Sequence, residues 1–170
     1  MKVVIPGGSG HVGAALIRHF RSLGWDISVL SRKEFVTDGV KSVLWDGKSV
    51  GEWCRELEDA DVVINLAGRS VNCRYDVGNL NDMMNSRVDS VRVIGEAIAI
   101  CANPPKVWLQ ASTATIYAHR FDSPNDEFTG IMCGDEPGAP FTWNASIKIA
   151  KAWEDAVSYT HLTLPTIYSV

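Results

Sequence analysis

The chain begins with the stretch MKVVIPGGSGHVG, residues 1–13, and this stretch decides the fold. Residues 1–5 form a nearly continuous apolar run rich in β-branched side chains, which is typical of a parallel strand buried on both faces. Glycines end the run, and apolar side chains then recur every three or four positions, at Val12, Leu16, Phe20 and Leu23. That period predicts an amphipathic helix from His11 to about Gly24. A glycine-rich turn therefore connects the predicted strand to the predicted helix.

The glycines of this turn have the spacing of a phosphate-binding loop. They fit G-x-x-G-x-x-G from Gly7 and G-x-G-x-x-G from Gly8. In such a loop one glycine permits the tight turn, one lets the main chain approach a diphosphate, and one lets the helix pack on its strand. The N–H groups at the start of the helix, together with its dipole, attract the phosphates. Between a first strand and a first helix this spacing predicts a dinucleotide site, and a purely structural glycine turn is the alternative.

The alternation of strands and helices continues along the chain. Apolar runs predict strands at 26–30, 43–45, 61–66 and 106–111, and the helical period predicts helices at 50–57, 79–102 and 142–156. Such alternation predicts an α/β fold, a Rossmann-type doubly wound parallel sheet with right-handed crossovers. Residues 119–140 are rich in Pro, Gly, Asp and Asn and are predicted to form a long loop.

Length and composition narrow the functional classes. The 170 residues suit one domain, and 16 Lys and Arg against 20 Asp and Glu give a formal charge of −4 without a basic block. Nucleic acid and membranes are therefore not expected as partners. The four cysteines are scattered without C-x-x-C spacing, so neither a metal site nor a disulfide framework is expected. Met1 leads directly into the first strand and no apolar run could span a bilayer, so we expect a cytoplasmic protein without a signal peptide.

The end of the second predicted strand bears on which dinucleotide binds. An NAD-binding chain places an acid there to hold the ribose 2′-hydroxyl, whereas this chain has Ser31-Arg32-Lys33, with Glu34 too late for that role. The guanidinium of Arg32 can hold a 2′-phosphate, with a hydroxyl from Ser31 and added charge from Lys33. The cofactor expected is therefore NADP(H), with NAD(H) as the alternative. A solvated basic turn would also explain the pattern.

Several motifs together resemble those of the extended and atypical short-chain dehydrogenases/reductases. Besides the glycine turn and Arg32, they are the segments NLAG at 65–68 and STATIY at 112–117. Within that superfamily, four further segments most resemble the branch described as NAD-dependent epimerase/dehydratase. They are VINLAG at 63–68, Trp45-Asp46, Ser86-Arg87-Val88 and Trp153-Glu154. The resemblance covers residues 1–157. It implies a Rossmann domain that is the N-terminal part of a longer protein and is incomplete at its C-terminal end.

The resemblance implies a cofactor role for each matching residue. The turn would hold the diphosphate through its glycines and the main-chain N–H groups at the helix start, and its members are Gly7, Ser9, Gly10, His11, Val12 and Gly13. Asp46 would approach the adenine, although a turn can also require an Asp there. Leu66, Ala67 and Gly68 would line the adenine ribose and the middle of the cofactor, with a tight strand-to-helix turn as the alternative.

The resemblance also implies catalytic positions, and here the chain departs from the pattern of the superfamily. Counting back from Tyr117 places the catalytic hydroxyl at Thr113, with Ser112 beside it near the nicotinamide, while capping of the strand end explains these hydroxyls equally well. The chemistry of the superfamily relies on a tyrosine with a lysine four residues later, a pattern from which the epimerase branch itself departs. None of the four tyrosines has that spacing, and Lys148 is preceded by Asn144 instead. Three residues of the long loop are candidates to replace the tyrosine as general acid or base: His119, Asp126 and Glu127. The alternative for each is an ordinary solvated loop residue.

Two functions of different classes fit these residues. The first is an NADP(H)-dependent oxidoreductase or epimerase acting on a hydroxyl or carbonyl group of a sugar-nucleotide-like substrate, and the second is a non-catalytic dinucleotide-binding sensor or scaffold. The partner expected is a small-molecule substrate, and a homodimer is left open for the full-length form. Residues 158–170, SYTHLTLPTIYSV, lack helical periodicity and are interpreted as a non-native tail, with a natural edge strand as the alternative.

Overall fold

The computed structural model describes residues 1–34, 36–126, 128–132, 138–158, 160 and 167–169. For residues 167–169 it describes the backbone alone. The strands are β1 (Lys2–Pro6), β2 (Asp26–Ser31), β3 (Lys41–Leu44), β4 (Val62–Asn65), β5 (Val107–Gln110) and β6 (Ile167–Ser169). The helices are α1 (His11–Ser22), α2 (Val77–Ala99) and α3 (Phe141–Ser158), with short 3₁₀ helices at Glu52–Glu56 and Ala114–Ile116. None of the helices in these ranges is long and apolar enough to span a lipid bilayer.

The six strands form one parallel sheet in the order β3-β2-β1-β4-β5-β6. β1 lies inside the sheet, between β2 and β4, and the direction of strand progression reverses at the boundary of β1 and β4. In open α/β sheets such a reversal leaves a crevice at the carboxyl ends of the strands, where ligands bind. The predicted Rossmann-type sheet is thereby confirmed, and its glycine turn lies at this crevice.

The edge strand β6 pairs in parallel with β5, with Trp108 opposite Ile167 and Gln110 opposite Ser169. This arrangement is the one expected of a natural edge strand, the alternative given above for residues 158–170. Only a few residues of that segment are described, so its interpretation as a non-native tail stays a prediction. The same holds for the expectation that the domain is incomplete at its C-terminal end.

Apolar side chains cover both faces of the sheet. Successive strand residues point to opposite faces, so Val4 of β1 packs on one side with Trp108 and with apolar residues of α2 and α3. Val3 and Ile5 pack on the other side with Ile17 of α1. Burial on both faces explains the continuous apolar runs in the sequence.

Predicted and observed bounds differ by a few residues where contacts outside the element decide them. α2 ends at Ala99 rather than at 102, and beyond this end the carboxylate of Glu58 accepts the N–H of Ala102 at 3.1 Å. β3 begins at Lys41 rather than at 43, because Lys41 and Ser42 pair with β2 although both are polar and exposed. Periodicity of apolar residues could not reveal either contact.

Candidate functional site

A cleft of about 760 Å³ lies at the carboxyl ends of β1, β2 and β4, where the strand order reverses. It brings together most of the residues predicted to hold a cofactor: Gly7, Ser9, Gly10, Ser31, Arg32, Asp46, Leu66, Ala67 and Gly68. The other residues of its lining are Leu30, Lys33, Glu34, Trp45, Gly47, Lys48, Ser86 and Ser90. The predicted residues His11, Val12 and Gly13 lie directly after the turn, in the first turn of α1.

Gly7 makes the turn that brings the end of β1 against the end of β4. Its φ of +74° is a left-handed conformation that glycine adopts without strain, and its N–H donates to the carbonyl oxygen of Leu30 at 2.9 Å. A Cβ at this position would lie 2.7 Å from the Cα of Ala67. The main chains that follow β1 and β4 therefore meet at one wall of the cleft, with no room for a side chain between them.

Gly13 and Gly10 have the other two geometries expected of the turn. A Cβ on Gly13 would lie 2.0 Å from the carbonyl oxygen of Gly8, so only glycine lets α1 pack this closely on the turn. A Cβ on Gly10 would meet only the carbonyl oxygen of Gly7, at 3.8 Å, and Gly10 itself lines the cleft. The tight turn, the close packing and the open approach are therefore provided by Gly7, Gly13 and Gly10.

The first turn of α1 presents main-chain N–H groups that no other part of the described chain uses. Gly10 is the N-cap and offers no side chain, and no acidic residue lies in the first turn. Among the described residues, no oxygen accepts a hydrogen bond from the N–H groups of Ser9, His11 or Val12. Unpaired N–H groups at the positive end of a helix dipole attract an anion. The start of α1 can therefore bind a diphosphate.

The residues after β2 give the cleft a positively charged side. Arg32 is exposed and has no ion pair or hydrogen bond with the residues that the structure describes, so its guanidinium is available to a ligand. Ser31 is buried, and its hydroxyl accepts the N–H of Lys33 at 3.4 Å. Glu34, which sequence reasoning set aside as too late to hold a ribose, also lines the cleft. An acid is therefore nearer to the site than its position in the sequence indicated.

Asp46 shapes a turn and borders the cleft at the same time. Its Oδ1 accepts hydrogen bonds from the N–H groups of Ser49 (2.9 Å) and Lys48 (2.8 Å), and these bonds lower the pKa of its carboxyl group below the ordinary value. The turn role that was one alternative for Asp46 is therefore observed. Because the exposed carboxylate also lines the cleft, that role is compatible with a contact to a ligand.

A buried polar network fixes the chain after β4. The Nδ2 of Asn65 donates to the Oε1 of Gln110 at 2.9 Å and to the Oγ of Ser90 at 3.2 Å, while its Oδ1 accepts the N–H of Ala67 at 3.0 Å. The network ties β4, β5 and α2 together and orients the main chain that borders the cleft. Sequence reasoning missed Ser90 and Gln110. The available signal was a polar residue at the end of an apolar strand, since a buried polar group needs a partner.

Ser112 and Thr113 lie after β5 and are not part of the cleft lining. Thr113 is the N-cap of the 3₁₀ helix Ala114–Ile116, and its Oγ1 accepts the N–H of Thr115 at 3.3 Å. Thr113 therefore has a capping role, although it caps the 3₁₀ helix and not the strand end that the alternative named. The half-buried Ser112 donates a hydrogen bond to the carboxylate of Glu154 on α3, a partner that sequence reasoning missed.

The loop residues considered as substitute acids or bases are held in other contacts. Asp126 accepts hydrogen bonds from the N–H groups of Thr129 (2.6 Å) and Phe128 (2.9 Å), which lower the pKa of its carboxyl group. A carboxyl group held in its ionised form is a poor proton donor near neutral pH. The ring of His119 packs edge-on against Trp143, with ring centroids 4.9 Å apart. The third candidate, residue 127, lies outside the described residues.

Comparison with known proteins yields one family. The model of the NAD dependent epimerase/dehydratase family matches residues 3–169. Epimerase family protein SDR39U1 from Bos taurus is 25% identical over 159 residues, which are 92% of this chain and 48% of that protein. Epimerase family protein SERP0438 from Staphylococcus epidermidis is 30% identical over 128 residues, which are 75% of this chain and 40% of that protein.

A solved structure leads to the same family. The crystal structure of human epimerase family protein SDR39U1 (isoform 2) with NADPH has a TM-score of 0.70 and 26% sequence identity, covering 92% of this chain and 48% of that chain. The chain spans about half the length of the curated SDR39U1 relatives that it matches. The resemblance inferred from the motifs is confirmed, and because the family match extends from residue 3 to residue 169, the chain belongs to the NAD dependent epimerase/dehydratase family.

Proposed function

We propose that this chain forms the nicotinamide-dinucleotide site of an oxidoreductase or epimerase that acts on a hydroxyl or carbonyl group, with NADP(H) as its preferred cofactor. The observation that carries the proposal is the start of α1. There the N–H groups of Ser9, His11 and Val12 have no acceptor among the described residues and lie beside Gly10, which has no side chain. The human relative solved with NADPH, 26% identical to this chain, supports the same class of cofactor.

The residues of the cleft fit a dinucleotide at three points. The N–H groups at the start of α1 suit the diphosphate. Arg32 suits the 2′-phosphate of NADPH because its guanidinium is exposed at the cleft and has no partner within the described ranges. The carboxylate of Asp46 suits the amino group of adenine. When bound, the cofactor supplies the carbon atom that accepts or donates a hydride.

The reacting end of the site is assigned to the other side of β1, toward β5. Since β5 neighbours β4, Ser112 and Thr113 follow it at the same edge of the sheet as the main chain of residues 66–68. Ser112 can accept a hydrogen bond from a substrate hydroxyl while it donates to Glu154. A substrate proton could then pass through one hydroxyl to a carboxylate. Thr113 is the second hydroxyl at this position, with its oxygen partly engaged in capping.

The alternative function is a protein that binds the dinucleotide without catalysis. One observation favours it, because Asn144 on α3 lies four residues before the exposed Lys148, where the Tyr-Lys pair of the superfamily would place its tyrosine. An amide neither gives nor takes a proton at neutral pH. The Oδ1 of Asn144 is buried and has no hydrogen-bond partner in the described part of the chain. An amide at this position can only hydrogen-bond, which supports binding without catalysis.

Binding and turnover measurements separate the two functions. The full-length protein is titrated with NADPH and NADH, and cofactor oxidation is then followed with a panel of carbonyl substrates. For an enzyme, we expect Ser112→Ala and Glu154→Gln to reduce kcat by roughly a hundredfold without changing the affinity for NADPH. Asp155→Asn, an exposed carboxylate next to Glu154 on α3, is the control and should have the wild-type kcat. Tight binding of NADPH without turnover would support the non-catalytic function, and no binding of either dinucleotide would contradict both.

A further inference from the structure

Arg87 on α2 is a half-buried cation that has no carboxylate partner among the described residues. Its Nη1 donates to the carbonyl oxygen of Met83 at 2.9 Å, and its guanidinium carbon lies 5.1 Å from the centroid of the Trp153 ring. No acidic side chain of the described residues forms an ion pair with it. Burial lowers the pKa of the guanidinium, which reflects the cost of removing the charge from water. Arginine nevertheless stays protonated in proteins, so this charge is buried without a compensating anion from the described part of the chain.

The guanidinium of Arg87 lies against the wall of the cleft. A Cβ on Gly68 would lie 3.2 Å from the Cζ of Arg87, and Gly68 lines the cleft. Ser86 and Ser90, which flank Arg87 along α2, line the same cleft. Because Gly68 has no side chain, the guanidinium packs directly on the main chain that borders the cleft, immediately behind the residues of the lining.

Another arginine near the cleft, Arg69, has hydrogen-bond acceptors for its guanidinium, in contrast to Arg87. Arg69 pairs with the carboxylate of Asp82 and also donates to the side-chain oxygen of Asn79. Arg87 by contrast uses only Nη1, and its Nη2 and Nε have no acceptor in the part of the chain that the structure describes. The ring of Trp153 holds the guanidinium in place, so the unused donors are oriented before a ligand arrives.

We propose that Arg87 is an oxyanion-binding residue on the β4 side of the cleft, where it takes a phosphate or carboxylate group of the small molecule bound there. A planar guanidinium with unused donors matches the two oxygens of such a group. The proposal rests on the proposed function, which puts the dinucleotide in the cleft. The anion has two sources, the diphosphate of the cofactor or an anionic group of the substrate. Arg32 lies on the other side of β1 and serves the 2′-phosphate.

The first arm of the test asks whether the cofactor supplies the anion. Arg87→Gln is compared with Arg92→Gln, which changes an exposed arginine of the same helix outside the cleft lining. Dissociation constants are measured for NADPH and for adenosine 2′,5′-bisphosphate, which has no diphosphate. If the cofactor is the source, Arg87→Gln weakens NADPH by roughly tenfold or more and the bisphosphate by less than about twofold. Loss of folded protein would affect both ligands equally, so the ratio reports the contact itself.

The second arm asks whether the substrate supplies the anion. In that case Arg87→Gln leaves the affinity for NADPH unchanged. Inorganic phosphate added to the NADPH-saturated protein then raises the Tm of the wild type and of Arg92→Gln but not that of Arg87→Gln. The proposal is overturned if the two variants behave alike in both arms. Failure of the wild type to bind NADPH would count against the proposed function instead, and the phosphate arm run without cofactor would still decide the role of Arg87.

Discussion

Gly7 and Ala67 are in main-chain contact, so close that a Cβ on Gly7 would lie 2.7 Å from the Cα of Ala67. The contact joins the turn after β1 to the turn after β4. It therefore fixes the distance between the two strand ends that carry the cleft. The φ of +74° at Gly7 adds a second restriction, because L side chains rarely adopt this left-handed conformation.

The first prediction separates backbone strain from overlap at this contact. Gly7→Ala should reduce the free energy of unfolding by at least about 2 kcal/mol, because strain and overlap act together. Gly24→Ala is the matched control, since Gly24 has a φ of +68° but no atom of the described residues lies within 4 Å of an added Cβ. It should lose about 1 kcal/mol from strain alone. Urea unfolding measures both, and equal losses would show that the contact with Ala67 does not restrict position 7.

The second prediction concerns Gly10, where the fold tolerates a side chain but the ligand should not. The φ of Gly10 is −86°, and a Cβ would have no neighbour nearer than 3.8 Å within the described ranges. Gly10→Ala should therefore change the free energy of unfolding by no more than about 1 kcal/mol. The added methyl group should nevertheless weaken NADPH binding by roughly tenfold or more, because it occupies the approach of the diphosphate. If calorimetry shows that Gly10→Ala binds NADPH with the affinity of the wild type, the diphosphate does not lie against this turn.

The third prediction tests cofactor preference at Arg32. Arg32→Ala should weaken NADPH by roughly tenfold to a hundredfold, the loss expected for a charged hydrogen-bonded pair, and NADH by less than about twofold. Arg92→Ala removes an exposed arginine outside the cleft lining and should affect neither cofactor. If Arg32→Ala weakens the binding of NADPH and of NADH equally, Arg32 does not contact the 2′-phosphate. Glu34, which also lines the cleft, would then be the next residue to replace.

The part of the site that is local in sequence could be predicted, and the part that joins distant residues could not. The spacing of Gly7, Gly10 and Gly13 encodes a strand, a turn and a helix within one short stretch, so it predicts the fold and the phosphate-binding turn together. The bond between Asn65 and Gln110 joins residues 45 positions apart, and it exists only because β4 and β5 are neighbours in the sheet. Neither the periodicity of apolar residues nor the spacing of motifs predicts which strands are neighbours, so neither predicts this hydrogen bond.

The same reason explains why the partner of Ser112 was missed. Glu154 lies 42 positions later in the sequence, and the contact forms only when α3 packs against the end of β5. The motifs placed Ser112 near the nicotinamide and left two alternatives, catalysis and capping. The structure separates two neighbouring hydroxyls that the sequence treats alike, since Thr113 caps a 3₁₀ helix and Ser112 bonds to a carboxylate.

The fourth prediction follows from the carboxylate of Glu56, which connects its 3₁₀ helix to two strands. It accepts hydrogen bonds from the Nζ of Lys41 at 2.6 Å and from the Oγ of Ser28 at 2.9 Å. Burial alone would raise the pKa of Glu56, but the bonds from Lys41 and Ser28 outweigh burial and lower it below the ordinary value of 4.5. Because the folded-state pKa is the lower one, the stabilisation is complete above pH 4.5 and is lost as the pH falls through the folded-state value.

Glu56→Gln should therefore lose about 1–2 kcal/mol of unfolding free energy at neutral pH, and its stability should fall less steeply than that of the wild type as the pH drops. Urea unfolding at a series of pH values measures both effects. Glu52→Gln is the matched control from the same 3₁₀ helix, since its carboxylate is exposed and pairs with Arg55 at 2.7 Å. That variant should stay within about 0.5 kcal/mol of the wild type at every pH. If the curves of Glu56→Gln and the wild type run parallel below pH 4.5, the bonds from Lys41 and Ser28 do not hold Glu56 in its ionised form.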